Sequence, residues 1–326
     1  MKVNKVLKII SIIILVIIVI ACTLIITAYM MFKGKLNKIN YIEIPAEDIE
    51  MNEGVQENLN EYRNIALLGI DTRSNTYSGS RTDCIIIVSI NEKTKEVKLA
   101  SVYRDTYLEI SGKNYTPKLD KVNHAYNFGG PALTMSTLNT NLDLDITEFV
   151  TVNFSATQDI VDKIGGITLQ IDPDEVKHIT GISRSGKHHL NGSQALQYAR
   201  IRKEAGGDYK RTERQRTVIM AVFEKAQSLG ISELNSLVDM LLPEIYTNID
   251  RDEIISLIPE IASYRVTETI GWPYKTAGNG VWYGPPITLE SNVIQLHKEL
   301  FGDENYQPTE KIIEISNKII QKTGYR

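Results

Sequence analysis

The first strong pattern along the chain is an unbroken apolar segment near its start. Residues Ile9 to Phe32 form 24 consecutive positions without a charged side chain, and most of them are Ile, Leu, Val or Met. With a rise of about 1.5 Å per helical residue, this segment is long enough to cross a hydrocarbon layer of roughly 30 Å. The pattern predicts a transmembrane anchor at 9–32.

Two other interpretations of this segment are disfavoured. A cleaved signal peptide is disfavoured because the apolar run is long and no small-x-small site follows it. The residues Val19-Ile-Ala-Cys22 resemble a lipoprotein cleavage box, but apolar residues continue for ten positions beyond the cysteine. We interpret the anchor as uncleaved. The lysines at positions 2, 5 and 8 predict a cytoplasmic N-terminus at 1–8 and an extracellular remainder, in a single-pass protein of the cell membrane.

Beyond the anchor, the periodicity separates a linker from a folded domain. Residues 33–61 are polar and acidic without a clear period, which predicts an extracellular linker. Short β-rich runs follow, and the predicted strands are 65–70, 83–90, 96–103, 149–154 and 167–171. Predicted helices lie at 155–164, 211–229, 231–242, 251–263, 287–300 and 309–322. Strands and helices without strict alternation predict one α/β domain at 62–326, a central mixed β-sheet flanked by helices.

The charge distribution narrows the possible ligands of this domain. Residues 1–38 hold six of the 36 basic residues and no acidic one, so the remainder carries 30 basic and 40 acidic residues. An acidic domain is unsuited to coating a polyanion, which excludes nucleic acid as its partner. The two cysteines, Cys22 and Cys84, are not placed to form a disulfide, and Cys84 is predicted to be a buried small hydrophobe.

Arginines are nevertheless gathered in one stretch, from Arg200 to Arg216. On a helix, Arg211, Arg214 and Gln215 share a face at spacings of three and four. Arg200 and Arg202 share a face if their segment is extended. Planar guanidinium groups bind phosphate oxygens in bidentate fashion, so this stretch predicts a site for one anionic group.

A second candidate feature is the pair of carboxylates Asp71 and Asp83, which flank a polar loop between two predicted strands. Two carboxylates can hold Mg²⁺, which keeps water and substrate phosphate among its ligands. An EF-hand is excluded because Arg73 stands at its third position and no Glu closes the loop. The alternative is structural, with turn capping by Asp71 and an ion pair between Asp83 and Arg81.

Other catalytic motifs are absent from the sequence, and two further residues are weak signals by themselves. The five histidines show no zinc-binding spacing, and neither a GxSxG motif nor a P-loop occurs. Arg104 stands at the end of an apolar run, where a lone arginine is usually a solvated edge residue. Lys121 lies in a polar segment with further donors.

Four segments taken together resemble the LytR-CpsA-Psr family of cell-wall assembly proteins. They are Leu67-Leu-Gly-Ile-Asp71 with Arg81-Thr-Asp83, Ser101-Val-Tyr-Arg104-Asp105, Lys121-Val-Asn-His-Ala-Tyr126, and Tyr198-Ala-Arg-Ile-Arg202 leading to Asp208-x-x-Arg211-x-x-Arg214-Gln215. The resemblance covers about residues 62–220, and the set of motifs is more specific than any one of them. Two departures concern uncharged positions: Cys84 replaces a commonly hydroxylated residue, and Val102-Tyr103 replaces a frequent Ile-Pro.

The resemblance implies a phosphotransferase on the outer face of the cell membrane of Gram-positive-type bacteria. Such enzymes move a glycopolymer, for example teichoic acid or capsule polysaccharide, from a polyprenyl-pyrophosphate carrier to a peptidoglycan acceptor. By motif, Asp71 and Asp83 would hold Mg²⁺, with Mn²⁺ as an alternative. Arg104, Asp71 and Arg81 would be catalytic. The implied pyrophosphate ligands are Arg81, Arg104, Lys121, Arg200, Arg202, Arg211, Arg214 and Gln215, with Arg214 serving either as a ligand or as a support for its neighbours.

Two rival functions remain at this point, a non-catalytic sensor of polyprenyl phosphate and a hydrolase of the lipid pyrophosphate. The intact Asp71 and Asp83 argue against the sensor, and dependence on an acceptor would separate a hydrolase from a transferase. We also predict that apolar residues of helix 211–229 help to line a groove for the lipid tail, with core packing as the alternative. These residues are Val218, Ile219, Ala221, Val222 and Phe223.

Overall fold

The computed structural model describes residues 40–70, 79–202, 207–230, 242–250, 262–276 and 286–324, with isolated positions between 231 and 261. The side chains at 154–156, 207–208 and 242 are not described. Within these ranges no helix combines the length and the apolar character that a membrane span requires. The predicted anchor at 9–32 lies outside the described residues.

A mixed β-sheet organises the described part of the chain. The strands are β1 (Asn40–Tyr41), β2 (Tyr62–Ile70), β3 (Thr82–Asn91), β4 (Glu96–Val102), β5 (Tyr107–Gly112), β6 (Tyr115–Lys121), β7 (Glu148–Asn153), β8 (Ile167–Ile171), β9 (Gly186–Leu190), β10 (Ile245–Thr247) and β11 (Arg265–Trp272). Seven of the described strands pair in the order β1-β10-β7-β2-β3-β4-β11. Strand β2 is parallel to β7 and antiparallel to β3, while β4 is antiparallel to β3 and parallel to β11. Strands β5 and β6 form one separate hairpin, and β8 and β9 form another.

Helices cover both faces of this sheet. They are α1 (Val55–Asn58), α2 (His124–Leu142, interrupted at Gly129 and Gly130), α3 (Phe154–Lys163), α4 (Gly192–Arg200), α5 (Gly207–Gln227), α6 (Leu289–Phe301) and α7 (Glu310–Thr323). The alternation of side chains along each strand decides which face a residue joins. On β3, Ile85 and Ile87 enter the main core with α2, α6 and α7, whereas Cys84 and Ile86 point to the opposite face.

Helix α5 lies along that opposite face and separates two apolar clusters. Its Ile219 and Met220 pack against Cys84 and Ile86 of the sheet. Its Val218, Ala221 and Val222 pack instead into a second cluster built from β8, β9, α3 and α4. Core packing therefore accounts for these three residues of the predicted lipid groove, and Ile219 is the predicted groove residue that faces the sheet.

The structure confirms most of the predicted pattern and corrects parts of it. The five predicted strands, and the helices at 155–164, 211–229, 287–300 and 309–322, match observed elements within a few residues. The sequence pattern does not predict β11, because the segment after Asp208 reads as mostly helical. Helices α2 and α4 and strands β5, β6, β9 and β10 are also not predicted. The predicted helices 231–242 and 251–263 fall mostly outside the described residues.

The predicted linker at 33–61 ends earlier than the sequence indicates. Asn40 and Tyr41 pair with β10 at the edge of the sheet. Ile49, Val55 and Leu59 are buried in the main core. Residues from Asn40 onward are therefore part of the folded domain, because widely spaced apolar residues in an acidic segment are enough to anchor it.

Candidate functional site

The motif residues meet at one edge of the central sheet. Because β2, β4, β7 and β11 run in the same direction, their carboxyl ends lie at the same edge as the first residue of β3. Asp83 stands at the start of β3, and Arg104 follows the end of β4 two residues beyond Val102. This edge is where open α/β sheets characteristically bind ligands.

Asp83 is the point on which three arginines from different elements converge. Arg104 Nη1 lies 2.6 Å from Asp83 Oδ1, with the two side chains 19% and 24% exposed. Arg202 Nη2 lies 3.8 Å from Asp83 Oδ2. Arg211 Nη2 donates to the backbone carbonyl of Asp83 at 3.4 Å. Two guanidinium groups therefore face the carboxylate and a third meets the backbone carbonyl, so positive charge exceeds negative charge around Asp83.

The turn after β4 holds Arg104 in this position. The Tyr103 amide donates to the Trp272 carbonyl at 2.9 Å, and the Asn123 amide donates to the Arg104 carbonyl at 3.2 Å. The neighbouring Asp105 lies 3.7 Å from Arg104 Nε and 3.1 Å from Lys121 Nζ. Lys121 therefore belongs to the rim of the same site, although it ends a different strand, β6.

Helix α4 carries Arg200 and leads directly to Arg202. The helix begins with a capping box, in which Asn191 accepts from the Gln194 amide at 2.9 Å and Gln194 accepts from the Asn191 amide at 3.1 Å. Its Gly192 packs so closely on α3 that a Cβ atom there would lie 2.1 Å from the Gln158 carbonyl oxygen. Arg200 is the exposed last residue of the helix, and the backbone becomes extended at Ile201.

Helix α5 contributes Arg211 and Gln215 from one buried face. In the part of the chain that the structure describes, Gln215 Oε1 is buried without a hydrogen-bond partner. Both Arg211 and Arg216 act electrostatically on the Cys84 thiol, but burial dominates and raises the pKa of Cys84 to about 12. Cys84 is therefore a neutral, buried small side chain, as the sequence predicts.

Arg214 is engaged in a buried ion pair. Its Nε lies 2.5 Å from Glu175 Oε1, and each side chain is 6% exposed. Its Nη1 donates to the Ile201 carbonyl at 3.2 Å. Glu175 also accepts from the Asp172 amide at 2.8 Å. This geometry favours the supporting role for Arg214 over the role of a pyrophosphate ligand, because its guanidinium group ties α5 to the turn after β8.

The remaining predicted site residues are placed as follows. Arg81 is exposed just before β3. Asp71 lies outside the described residues. The predicted alternative ion pair between Asp83 and Arg81 is replaced by the pair between Asp83 and Arg104. Among the described residues, no group of three or more His, Cys, Asp or Glu side chains could hold a metal ion.

Two residues that sequence reasoning left unassigned, Tyr103 and Arg216, also border the site. The Tyr103 ring makes an edge-to-face contact with Tyr209, with centroids 4.5 Å apart. Burial raises the pKa of the Tyr103 phenol, and the charge of Arg216 opposes this shift. The available signals were the position of Arg216 directly after Gln215 and the replacement of a frequent proline by Tyr103.

Comparison with known proteins places this arrangement in a family. The model of the LytR_cpsA_psr family matches residues 26–291. The chain is 34% identical over 254 residues to the polyisoprenyl-teichoic acid--peptidoglycan teichoic acid transferase TagT of Bacillus subtilis strain 168, covering 73% of this chain and 76% of that protein. It is 31% identical over 265 residues to the corresponding transferase TagU of Bacillus cereus strain AH820, covering 79% of this chain and 86% of that protein.

Solved structures share the fold. A structure described as TagT bound to LIIa-WTA matches with a TM-score of 0.59 and 26% identity, over 86% of this chain and 97% of that one. The crystal structure of B. subtilis TagV matches with a TM-score of 0.62 and 26% identity, over 76% of this chain and 99% of that one.

Proposed function

This chain belongs to the LytR-CpsA-Psr family, and we propose that it is a glycopolymer transferase that moves teichoic acid or a related polymer from a polyprenyl-pyrophosphate carrier to peptidoglycan. The observation that carries the proposal is the convergence of Arg104, Arg202 and Arg211 on Asp83, the first two on its carboxylate and the third on its backbone carbonyl. An excess of guanidinium groups suits a pyrophosphate, whose negative charge would complete the site. The names of TagT and TagU describe the transfer of teichoic acid from polyisoprenyl-teichoic acid to peptidoglycan by those relatives.

The chemistry follows from what displacement at phosphorus requires. A hydroxyl of the acceptor sugar attacks the phosphorus that carries the glycopolymer and gives up its proton to a base or to water. The phosphoanhydride bond breaks, polyprenyl phosphate leaves, and a phosphodiester to peptidoglycan remains. Such transfer depends on positioning and charge neutralisation more than on a covalent intermediate. Arg104 and Arg202 would orient the pyrophosphate from two sides, and the developing charge on the leaving phosphate would be stabilised by the same groups.

Acceptor dependence tests this function directly. The full-length protein in detergent micelles would be given a synthetic polyprenyl-pyrophosphate-linked saccharide, Mg²⁺ and peptidoglycan fragments, and release of polyprenyl phosphate would be followed. We expect release only with acceptor, together with sugar phosphate attached to the glycan. Equal release without acceptor would identify a hydrolase, and tight binding without turnover under any acceptor would identify a sensor.

The same proposal includes Mg²⁺ at this site, held by Asp83 together with Asp71. The donor set fits, since Mg²⁺ is commonly bound by one or two carboxylates and completes its shell with water and substrate phosphate. Asp83 is partly exposed, so its carboxylate is accessible from the site. The ion would supply further neutralisation of phosphate charge.

Asp83→Asn should weaken Mg²⁺ binding while the side chain keeps its size. In a titration of the thermal shift with Mg²⁺ and farnesyl pyrophosphate, we expect half-saturation to rise at least about tenfold. Asp174→Asn, at an exposed position after β8, is the matched control. Turnover that persists undiminished in EDTA would rule out the metal.

We also propose that the domain is extracellular and held at the membrane by residues 9–32. The apolar run and the three lysines before it support this placement. A lipid-linked substrate and a peptidoglycan acceptor would require a domain close to the outer membrane face. Accessibility of the domain to protease added to intact cells would test it, and full protection would contradict it.

A further inference from the structure

Arg216 is a buried cation that the transferase reaction, as described above, does not use. It lies on α5 directly after Gln215 and is 8% exposed. Among the described residues, its Nε and Nη1 atoms have no hydrogen-bond partner. Burying these two charged nitrogens without a hydrogen-bond acceptor among the described residues is unfavourable, because they lose the hydration that stabilises the guanidinium charge. An anion that binds from solution would supply the missing acceptors.

Arg104, Arg202 and Arg211 around Asp83 are called the arginine site below. The surroundings of Arg216 place it between this arginine site and the apolar face of the sheet. A Cβ atom added to Gly271 on β11 would lie 2.3 Å from the Tyr103 hydroxyl and 3.6 Å from Arg216 Nη1, so both groups reach the same point. Arg216 and Arg211 both influence the Cys84 thiol at the start of β3. Arg216 is thus adjacent to the arginines that surround Asp83.

The next turn of α5 leads away from the arginine site. Ile219 and Met220, three and four residues beyond Arg216, pack with Cys84 and Ile86 on the apolar face. A phosphate held by Arg216 would therefore have guanidinium groups on one side and apolar side chains on the other. That is the environment that the phosphate attached to a prenyl chain requires.

We propose that Arg216 is a further substrate-binding residue, which binds the phosphate attached to the prenyl chain and stabilises it as polyprenyl phosphate leaves. This inference rests on the proposed function, since it assigns one more residue to the same substrate. Burial lowers the pKa of Arg216, which agrees with a site whose cation is incompletely compensated before the ligand binds. Glu213 is the carboxylate that acts on it from its own helix, and Glu213 lies on the exposed side with Lys210 at 2.8 Å.

A purely structural role for Arg216 makes the opposite prediction about stability. If Arg216 held α5 to the sheet, then replacing it would lower the melting temperature and leave ligand affinity unchanged. If Arg216 binds a phosphate of the substrate, then its charge is uncompensated in the unliganded protein. Replacing it with a neutral amide should then raise the melting temperature. The structural role therefore predicts a lower melting temperature with unchanged ligand affinity. The phosphate-binding role predicts a higher melting temperature with weaker ligand affinity.

The test uses full-length Arg216→Gln in detergent micelles, with farnesyl pyrophosphate and farnesyl monophosphate as probes. We expect the Kd for each probe to rise roughly 10- to 100-fold, the effect of losing charged hydrogen bonds. We also expect the melting temperature of the unliganded protein to rise by about 2–4 °C. Arg184→Gln, an exposed arginine between β8 and β9, is the matched control and should change neither quantity.

Unchanged affinity of Arg216→Gln for the pyrophosphate would overturn the inference. Affinity lost for the pyrophosphate but kept for the monophosphate would overturn the assignment to the lipid-side phosphate. If Arg216→Gln does not fold, Arg216→Lys keeps the charge without the planar fork, and wild-type affinity in that variant would equally contradict bidentate binding. A wild-type protein that binds both probes but transfers nothing would remove the proposed function and leave the phosphate site in place.

Discussion

Arg104→Ala should reduce the acceptor-dependent release of polyprenyl phosphate by about 10²–10³-fold, the effect of losing one preorganised donor to a developing charge. The reason is geometric. Arg104 makes the shortest contact with Asp83, at 2.6 Å, and the turn after β4 fixes its backbone through the Tyr103 and Asn123 amides. A water molecule that replaced it would have neither the charge nor the fixed orientation.

The fold should survive this substitution. Arg104 is partly exposed, and Asp83 keeps Arg202 nearby at 3.8 Å. The melting temperature should therefore change little, which would separate a loss of chemistry from a loss of structure. Arg104→Lys should recover only part of the rate, because an ammonium group lacks the planar fork. Wild-type turnover by Arg104→Ala in the presence of acceptor would refute the role of Arg104, whereas Arg184→Ala should behave as wild type.

The second large effect is expected on stability, in Glu175→Ala. This substitution leaves the Arg214 guanidinium group, only 6% exposed, without its carboxylate. It also removes the acceptor of the Asp172 amide. Removing one partner of a buried ion pair costs about 3–5 kcal/mol of unfolding free energy. Urea unfolding of the full-length protein in detergent micelles should show the loss as a lower midpoint with a similar slope.

An exposed ion pair in the same chain provides the control. Lys298 and Glu304 lie 2.7 Å apart, but their side chains are 54% and 66% exposed. Glu304→Ala should cost about 0–1 kcal/mol, because water screens the pair and solvates the remaining charge. If Glu175→Ala and Glu304→Ala lower the unfolding free energy equally, the buried pair does not hold α5 to the turn after β8.

The double substitution Glu175→Met with Arg214→Met distinguishes a structural role of Arg214 from a role in binding the pyrophosphate. Most of the stability should return, since neither substitution leaves a buried charge uncompensated. If Arg214 only supports its neighbours, turnover should return with stability. Turnover that stays low in a stable double variant would restore Arg214 to the set of pyrophosphate ligands.

The sequence was sufficient for the elements that depend on local periodicity. The β-rich apolar run at 83–90 and the helical spacing at 211–229 predicted β3 and α5, because both signals depend only on residues close together along the chain. The same pattern misled at β11, where an exposed, polar strand at the sheet edge resembles neither a buried strand nor an amphipathic helix. Scattered apolar residues hid the folded part of 33–61 in a similar way.

The residue types of the site were also determined by the sequence alone: an acidic domain that gathers its arginines in one stretch and carries two loop aspartates predicts a phosphate group as ligand. Which of these residues share a site was decided only by the tertiary structure. Arg211 reaches Asp83 across 128 positions of the chain, and Arg214 reaches Glu175 across 39. Spacing along α5 shows only that Arg211, Arg214 and Arg216 are near one another. Their different surroundings are a site aspartate, a buried glutamate and the hydroxyl of Tyr103. They follow from how α5 packs between the sheet and the β8–β9 hairpin, which depends on contacts between segments far apart in sequence.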